Sequence, residues 1–152
     1  MSGGPESLGR HLVADYWGCD SEFLGDCARL EALMLEAAVA AETTVVAHSF
    51  ATHATGISGI VVVSESHLSI HTDKEAGAAF VDIFTCGQSV PEKAHALIKV
   101  ALRAKGAHVR RSTRGGQDPE KASIVTVDEW VENLETEEPE KLLTPNVQQV
   151  SP

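Results

Sequence analysis

Apolar and polar residues alternate with period two through much of the chain, and with period three to four in two places. Successive strand side chains point to opposite faces, so the alternation predicts strands over residues 11–16, 43–47, 60–63, 68–72, 79–85, 107–111 and 123–127. A first helix is expected from a cap at Asp20 or Ser21 to about Ala41. Its stripe is Phe23, Cys27, Leu30, Met34, Ala37 and Ala41, with Cys27 read as packing. A second helix opens at Ser89-Val90-Pro91-Glu92, with Ser89 as cap, Glu92 closing a capping box and Pro91 in the first turn. Its buried stripe is Ala94, Leu97, Ile98, Ala101 and Leu102, and Gly106 is expected to end it. Residues 48–55 read as a loop, Arg114-Gly115-Gly116 as a turn, and 128–134 as a turn or two of helix.

Two helices among half-polar strands imply an α+β fold. The expected form is a two-layer sandwich, an antiparallel sheet covered on one face by the two helices. Residues 1–134 form a single domain in this reading. The acidic, proline-containing stretch 135–152 has no apolar period and is expected to be disordered.

The 152 residues suffice for one core, and a net charge of −10 argues against nucleic acid as a partner. Arg110, Arg111 and Arg114 make a short basic cluster, read as a solvated strand end. No apolar run nears the ~18 residues of a membrane span. The first residues lack a signal-peptide core, so a cytoplasmic protein with no membrane partner is expected. Cys19, Cys27 and Cys86 form no C-x-x-C pair, which suggests neither a disulfide framework nor a zinc knuckle.

The candidate chemistry lies between Gly56 and Gly87. Ser66, in Glu65-Ser66-His67, stands at a bend between two strands. His71 follows five residues later, and Cys86 closes the stretch. Taken singly, each of these has an ordinary structural explanation. His67 and His71 lack a nearby third ligand, so no metal is expected. His11, His48, His53, His95 and His108 read as structural or solvated.

The stretch G-I-S-G-I-V-V-V-S-E-S-H-L-S-I-H-T-D-K-E-A-G-A-A-F-V-D-I-F-T-C-G closely resembles the signature of the small prokaryotic S-adenosylmethionine decarboxylases, pyruvoyl enzymes of polyamine synthesis. The resemblance runs from Leu8-Gly9-Arg10-His11-Leu12 to about Arg111. It implies the same fold, and a homodimer of cleaved αβ protomers with active sites between them. It also implies self-cleavage at the Glu65-Ser66 bond, giving a β chain 1–65 and an α chain 66–152. By resemblance, Ser66 becomes the pyruvoyl group that forms a Schiff base with substrate, and His71 accepts the α-proton during processing. Ser58 assists processing, and Cys86 returns a proton to Cα after carbon dioxide leaves. Glu75 matches a glutamate that holds ribose hydroxyls. The pyruvoyl ketone is an electron sink for the carbanion at Cα, so neither pyridoxal phosphate nor a metal is needed. An ordinary imidazole titrates near pH 6.5, which suits a base, and an ordinary thiol is mostly protonated at neutral pH, which suits an acid.

Two departures from the family pattern matter. Thr52-His53-Ala54-Thr55-Gly56 stands where the family has F-x-P-x-G, whose Phe stacks on adenine; His53 or Phe50 is the candidate substitute. Asp73-Lys74-Glu75 stands where the family has W-P-E. Loss of two aromatics and gain of Asp73 leave a second substrate class open, a smaller basic amino acid such as L-arginine or L-ornithine. A third reading, a non-catalytic regulatory homologue, is disfavoured because Ser66, His71 and Cys86 all remain.

Overall fold

The structure is a computed structural model that describes residues 8–64 and 66–130. Its elements in chain order are β1 (Gly9–Trp17), α1 (Ser21–Leu24), α2 (Cys27–Ala40), β2 (Val45–Thr52), β3 (Ile57–Val63), β4 (Ser66–Asp73), β5 (Ala78–Cys86), α3 (Pro91–Ala101), β6 (Gly106–Arg114) and β7 (Ile124–Trp130). The strands form one seven-stranded sheet in the order β2-β3-β4-β5-β1-β6-β7, antiparallel at every pairing. This is the α+β two-layer arrangement the alternation predicts.

The period of two decides which side chains meet the helices. Leu12, Ala14 and Tyr16 of β1, Leu68, Ile70 and Thr72 of β4, and Ala79, Val81 and Ile83 of β5 are buried on one face. The buried residues of α2, Leu30, Leu33, Met34, Ala37 and Ala38, close over them, joined by Ala94 and Ile98 of α3. Fully burying one such large aliphatic side chain contributes roughly 1.5–3 kcal/mol. Cys27 packs against this core, as its place on the stripe implies. The other face carries His11, Ser58, Ile60, Val62, His67, Ser69, His71, Phe80, Asp82 and Phe84, with Ile60, Val62 and Phe80 exposed. No described helix is long and apolar enough to cross a membrane.

Several boundaries differ from the sequence reading. The first helix is two. Asp20 accepts from the Glu22 N–H at 3.0 Å, and Asp26 accepts from the Arg29 N–H at 3.1 Å and restarts the helix. An Asp side chain that competes for backbone N–H groups favours a cap over a helix interior. Ser89 is not the cap of α3: that position is Val90, without a side-chain bond, and the Ser89 hydroxyl donates instead to Cys86 O at 3.1 Å. Gly106 does not end the helix but opens β6. Arg103 takes the positive φ of 53° beyond the Leu102 cap. The expected loop 48–55 is strand as far as Thr52, because its backbone pairs with β3. Residues 128–130 belong to β7, not to a helix; 131–134 and the stretch 135–152 lie outside the described residues.

Arg111 also departs from expectation. Strand parity turns it to the helix face, where it is bidentate on Glu92 at 2.5 and 2.7 Å, while Arg110 and Arg114 stay exposed. The adjoining network runs from the Tyr16 hydroxyl to His95 Nδ1 at 2.6 Å and from His95 Nε2 to Glu129 at 2.7 Å. Lys99 donates to the same Glu129 oxygen at 2.8 Å. Burial pushes the Tyr16 hydroxyl well above its ordinary range, and burial pushes the Cys19 thiol up to about 12. Burial also acts to raise the Glu129 carboxyl, but the hydrogen bonds and charges of His95 and Lys99 outweigh it and hold the group well below the usual carboxylate range.

A depressed carboxyl stabilises the fold above its unfolded value, near 4.3, and that contribution is lost as the pH falls towards the folded value. Glu129→Gln is therefore expected to cost about 1–3 kcal/mol at neutral pH, with the gap to the unaltered protein narrowing near pH 3. Denaturant titrations at both pH values check this; an equal gap at both would show that the charge is not what matters.

Candidate active site

The site is built on β3, β4 and β5, neighbours in the sheet. Ser66 is the first residue of β4 and pairs with Val63. Its hydroxyl donates to Cys86 Sγ at 3.7 Å, across the end of β5. Glu65, the other half of the expected cleavage bond, lies outside the described residues. A cavity of about 380 Å³ opens beside Ser66, lined by Glu42, Thr44, Ser64, Gln88 and Ser89 among others. The turn after Cys86 is pinned from three sides. Arg10 donates to Ser89 O, Ser89 donates to Cys86 O, and the Val90 N–H donates to Ala41 O at 2.8 Å. A small side-chain pair with open space next to it is what a Ser66-derived ketone and an incoming amine require, so these residues fit a pyruvoyl group.

A second constellation lies towards the other end of β4. Ser58 and His71 are cross-strand partners, with Ser58 Oγ 2.7 Å from His71 Nδ1. The His53 ring stacks on His71 with centroids 4.7 Å apart and planes 7° apart, and Phe80 of β5 lies 6.3 Å away at 29°. Two close approaches fix the local backbone. A Cβ on Gly56 would stand 2.2 Å from Thr72 O, and one on Gly59 would stand 2.0 Å from the Phe50 ring. Phe50 thus packs over β3 on the helix side and is not at the site. Behind His71, the buried Thr72 hydroxyl accepts from the Ile57 N–H at 2.9 Å and donates to Leu24 O at 2.8 Å.

The remaining expected residues, Asp73 and Glu75, stand at the end of β4 and in the turn beyond it. Asp73 Oδ1 accepts from the N–H groups of Glu75 at 3.1 Å and Ala76 at 3.0 Å, so one carboxylate oxygen caps the turn. Glu75 is exposed in that turn. The structure therefore brings Ser66 to Cys86 and Ser58 to His71, but it does not bring the two pairs together. Five residues of extended strand separate Ser66 from His71, about 16 Å at the usual rise.

Between the pairs, Asp82 holds Ser69 at 3.3 Å and His11 at 3.2 Å, and His67 tilts onto Phe84 at 5.9 Å. Sequence reasoning missed two features. Thr85 is buried beside Cys86 and its hydroxyl has no partner among the described residues; its position in D-I-F-T-C-G is the signal that could have found it. The intimate contact of His53 with His71 depends on the loop's conformation, and only the alignment of Thr52-His53-Ala54-Thr55-Gly56 hinted at it.

The family model described as S-adenosylmethionine decarboxylase matches residues 10–115. A protein of Thermotoga petrophila named S-adenosylmethionine decarboxylase proenzyme is 47% identical over 117 residues, covering 74% of this chain and 88% of its own. One of the same name from Thermococcus onnurineus is 39% identical over 132 residues, covering 86% and 94%. The crystal structure of the adenosylmethionine decarboxylase from Aquifex aeolicus superposes with a TM-score of 0.70 at 29% identity, covering 76% of this chain and 97% of that one. A matched stretch that spans both constellations, and a shared fold that holds them, show that this chain belongs to the S-adenosylmethionine decarboxylase family.

Proposed function

We propose that the protein is a self-processing, pyruvoyl-dependent decarboxylase that converts S-adenosylmethionine to its decarboxylated form and carbon dioxide, in the cytoplasm, as a step of polyamine synthesis. The observation that carries this is the Ser66–Cys86 contact beside an open cavity, inside the stretch the family model matches. Self-processing begins when Ser66 Oγ attacks the Glu65 carbonyl carbon and the peptide C–N bond breaks, leaving an ester and a free amine. A base removes the Ser66 α-proton, the Cα–Cβ double bond forms, and the upstream chain leaves as a carboxylate. Tautomerisation and hydrolysis release ammonia and leave the ketone. Once formed, that group withdraws electrons from the substrate's Cα as the carboxylate departs.

His71 is the base and Ser58 its aid. In the tautomer where Nδ1–H donates to Ser58 Oγ, His71 Nε2 keeps its lone pair for the α-proton, and the Ser58 hydroxyl hydrogen is free for the oxygen that gains charge. Cys86 Sγ, already next to Ser66, donates the proton that replaces carbon dioxide. Asp73 at the end of β4, Glu75 in the turn beyond it and the exposed Phe80 beside His71 are assigned to substrate.

The ~16 Å between Ser66 and His71 means that one chain does not supply both to one reaction. A second copy docked by its open sheet face about a two-fold axis sets its His71 end against the first copy's Ser66 end. The exposed Ile60, Val62 and Phe80 on that face favour such burial. The functional unit is thus a homodimer of cleaved protomers with shared sites.

One observation favours a second substrate. Thr52 and Asp73 stand where the family carries aromatics, and an added carboxylate suits a compact basic amino acid.

Intact-mass analysis is expected to show two fragments, 1–65 and a pyruvoyl-blocked chain from 66, with labelled carbon dioxide released from S-adenosylmethionine. Ser66→Ala should abolish both, and Cys86→Ala should permit cleavage but slow decarboxylation about 100-fold or more. Release from L-arginine or L-ornithine and none from S-adenosylmethionine would overturn the substrate assignment, and an uncut active enzyme would overturn the mechanism. For the shared site, His71→Ala chains should stay whole alone and be cleaved when co-expressed with Ser66→Ala chains. If they stay whole in both cases, the site is not shared.

A further inference from the structure

His53 begins the connection between β2 and β3, and that connection is fixed over the His71 end of β4. The His53 N–H donates to Gly56 O at 2.8 Å, and the Lys74 N–H donates to Thr55 O at 2.9 Å. The ring is anchored as well. His53 Nδ1 lies 3.4 Å from the Thr55 N–H and 3.2 Å from the Thr55 hydroxyl, and Nε2 is buried with no partner among the described residues. The ring lies flat on His71 at 4.7 Å.

His53 Nδ1 accepts from the Thr55 N–H, which assigns the ring's proton to Nε2. The face of the His53 ring lies against His71. A π face within about 6 Å attracts a cation.

We propose that His53 is a positioning residue for self-processing: it holds the His71 imidazole in register with Ser58, and its π face stabilises the imidazolium formed when His71 takes the Ser66 α-proton. No bond to His53 forms or breaks; the proton moves from Ser66 Cα to His71. Phe80, on the neighbouring strand, supplies a second ring to the same imidazole at 6.3 Å. The inference rests on the role proposed for His71, and it assigns a purpose to a histidine that the chain carries in the variable position of F-x-P-x-G.

The test compares His53→Phe with His53→Leu in the full chain. Both remove the nitrogens; only Phe keeps a π face. Self-cleavage of freshly translated precursor is followed by gel against time, with melting temperatures measured in parallel. The Phe variant is expected to cleave within about threefold of the unaltered chain, and the Leu variant about three- to tenfold more slowly than Phe at a similar melting temperature. Should the Leu variant melt well below the Phe variant, His53→Met supplies the non-aromatic comparison. Equal rates for the aromatic and non-aromatic variants would overturn the proposal while leaving His71 as base. Failure of the unaltered chain to cleave would overturn the proposed function itself.

Discussion

A hydrogen-bonded strand is a ruler of fixed length, and β4 is the ruler of this protein. It is paired along its length, with β3 on one side and β5 on the other, so it can neither coil nor shorten. Ser66 starts it, and His71 stands five residues on. Each end then recruits its own neighbour across the ladder, Cys86 from β5 at one end and Ser58 from β3 at the other. The proposed mechanism needs a proton to pass from the first pair to the second. Because the strand cannot fold back, that proposal places the transfer between chains, with the second chain arriving on the uncovered sheet face.

The covered face makes that ruler rigid. Thr72, directly after His71 and pointing the opposite way, is fully buried; its hydroxyl ties the start of β3 to the end of α1. Gly56 permits the loop to pass within contact of Thr72 O, and Gly59 receives the Phe50 ring. Further along the sheet, Glu129 gathers His95, Lys99 and Arg111 beneath α3. A side chain is held in place by what locks its neighbours, and here the locks are on the face that the helices cover.

The period-two pattern made the strands and the layer arrangement legible, because burial on one face leaves a direct imprint on sequence. Elements decided by partners left a weaker imprint. The end of β2, residues 48–52, is polar and small apart from Phe50, yet it is strand because β3 offers a ladder. Asp26 splits a stripe that is apolar on both sides of it, and Ser89 spends its hydroxyl on Cys86 O instead of on the helix. Within the site, Ser58, Ser66, His71 and Cys86 were legible as a spaced motif, and pairing at each end of β4 follows from register. Their separation into two pairs was written in the same spacing, since a serine and a histidine five apart on a strand cannot meet. The stack of His53 on His71 was not legible, as it depends on how four loop residues close a hairpin.

The departures from the family pattern fall unevenly along the ruler. At the Ser66 end, E-S-H and D-I-F-T-C-G are intact, and this is where bonds to the reacting carbon would be made. At the His71 end, positions 52, 54 and 73 have all changed, while Ser58 and His71 have not. The bonds made and broken at Cα are the same whichever amino acid is bound, whereas the distal end of the substrate differs from one to another. Next to Thr52, where the family has a large aromatic, the His53 ring stacks on His71. In the proposed mechanism that ring supports the proton acceptor instead of a ligand, and Phe80 is an exposed ring beside the same imidazole.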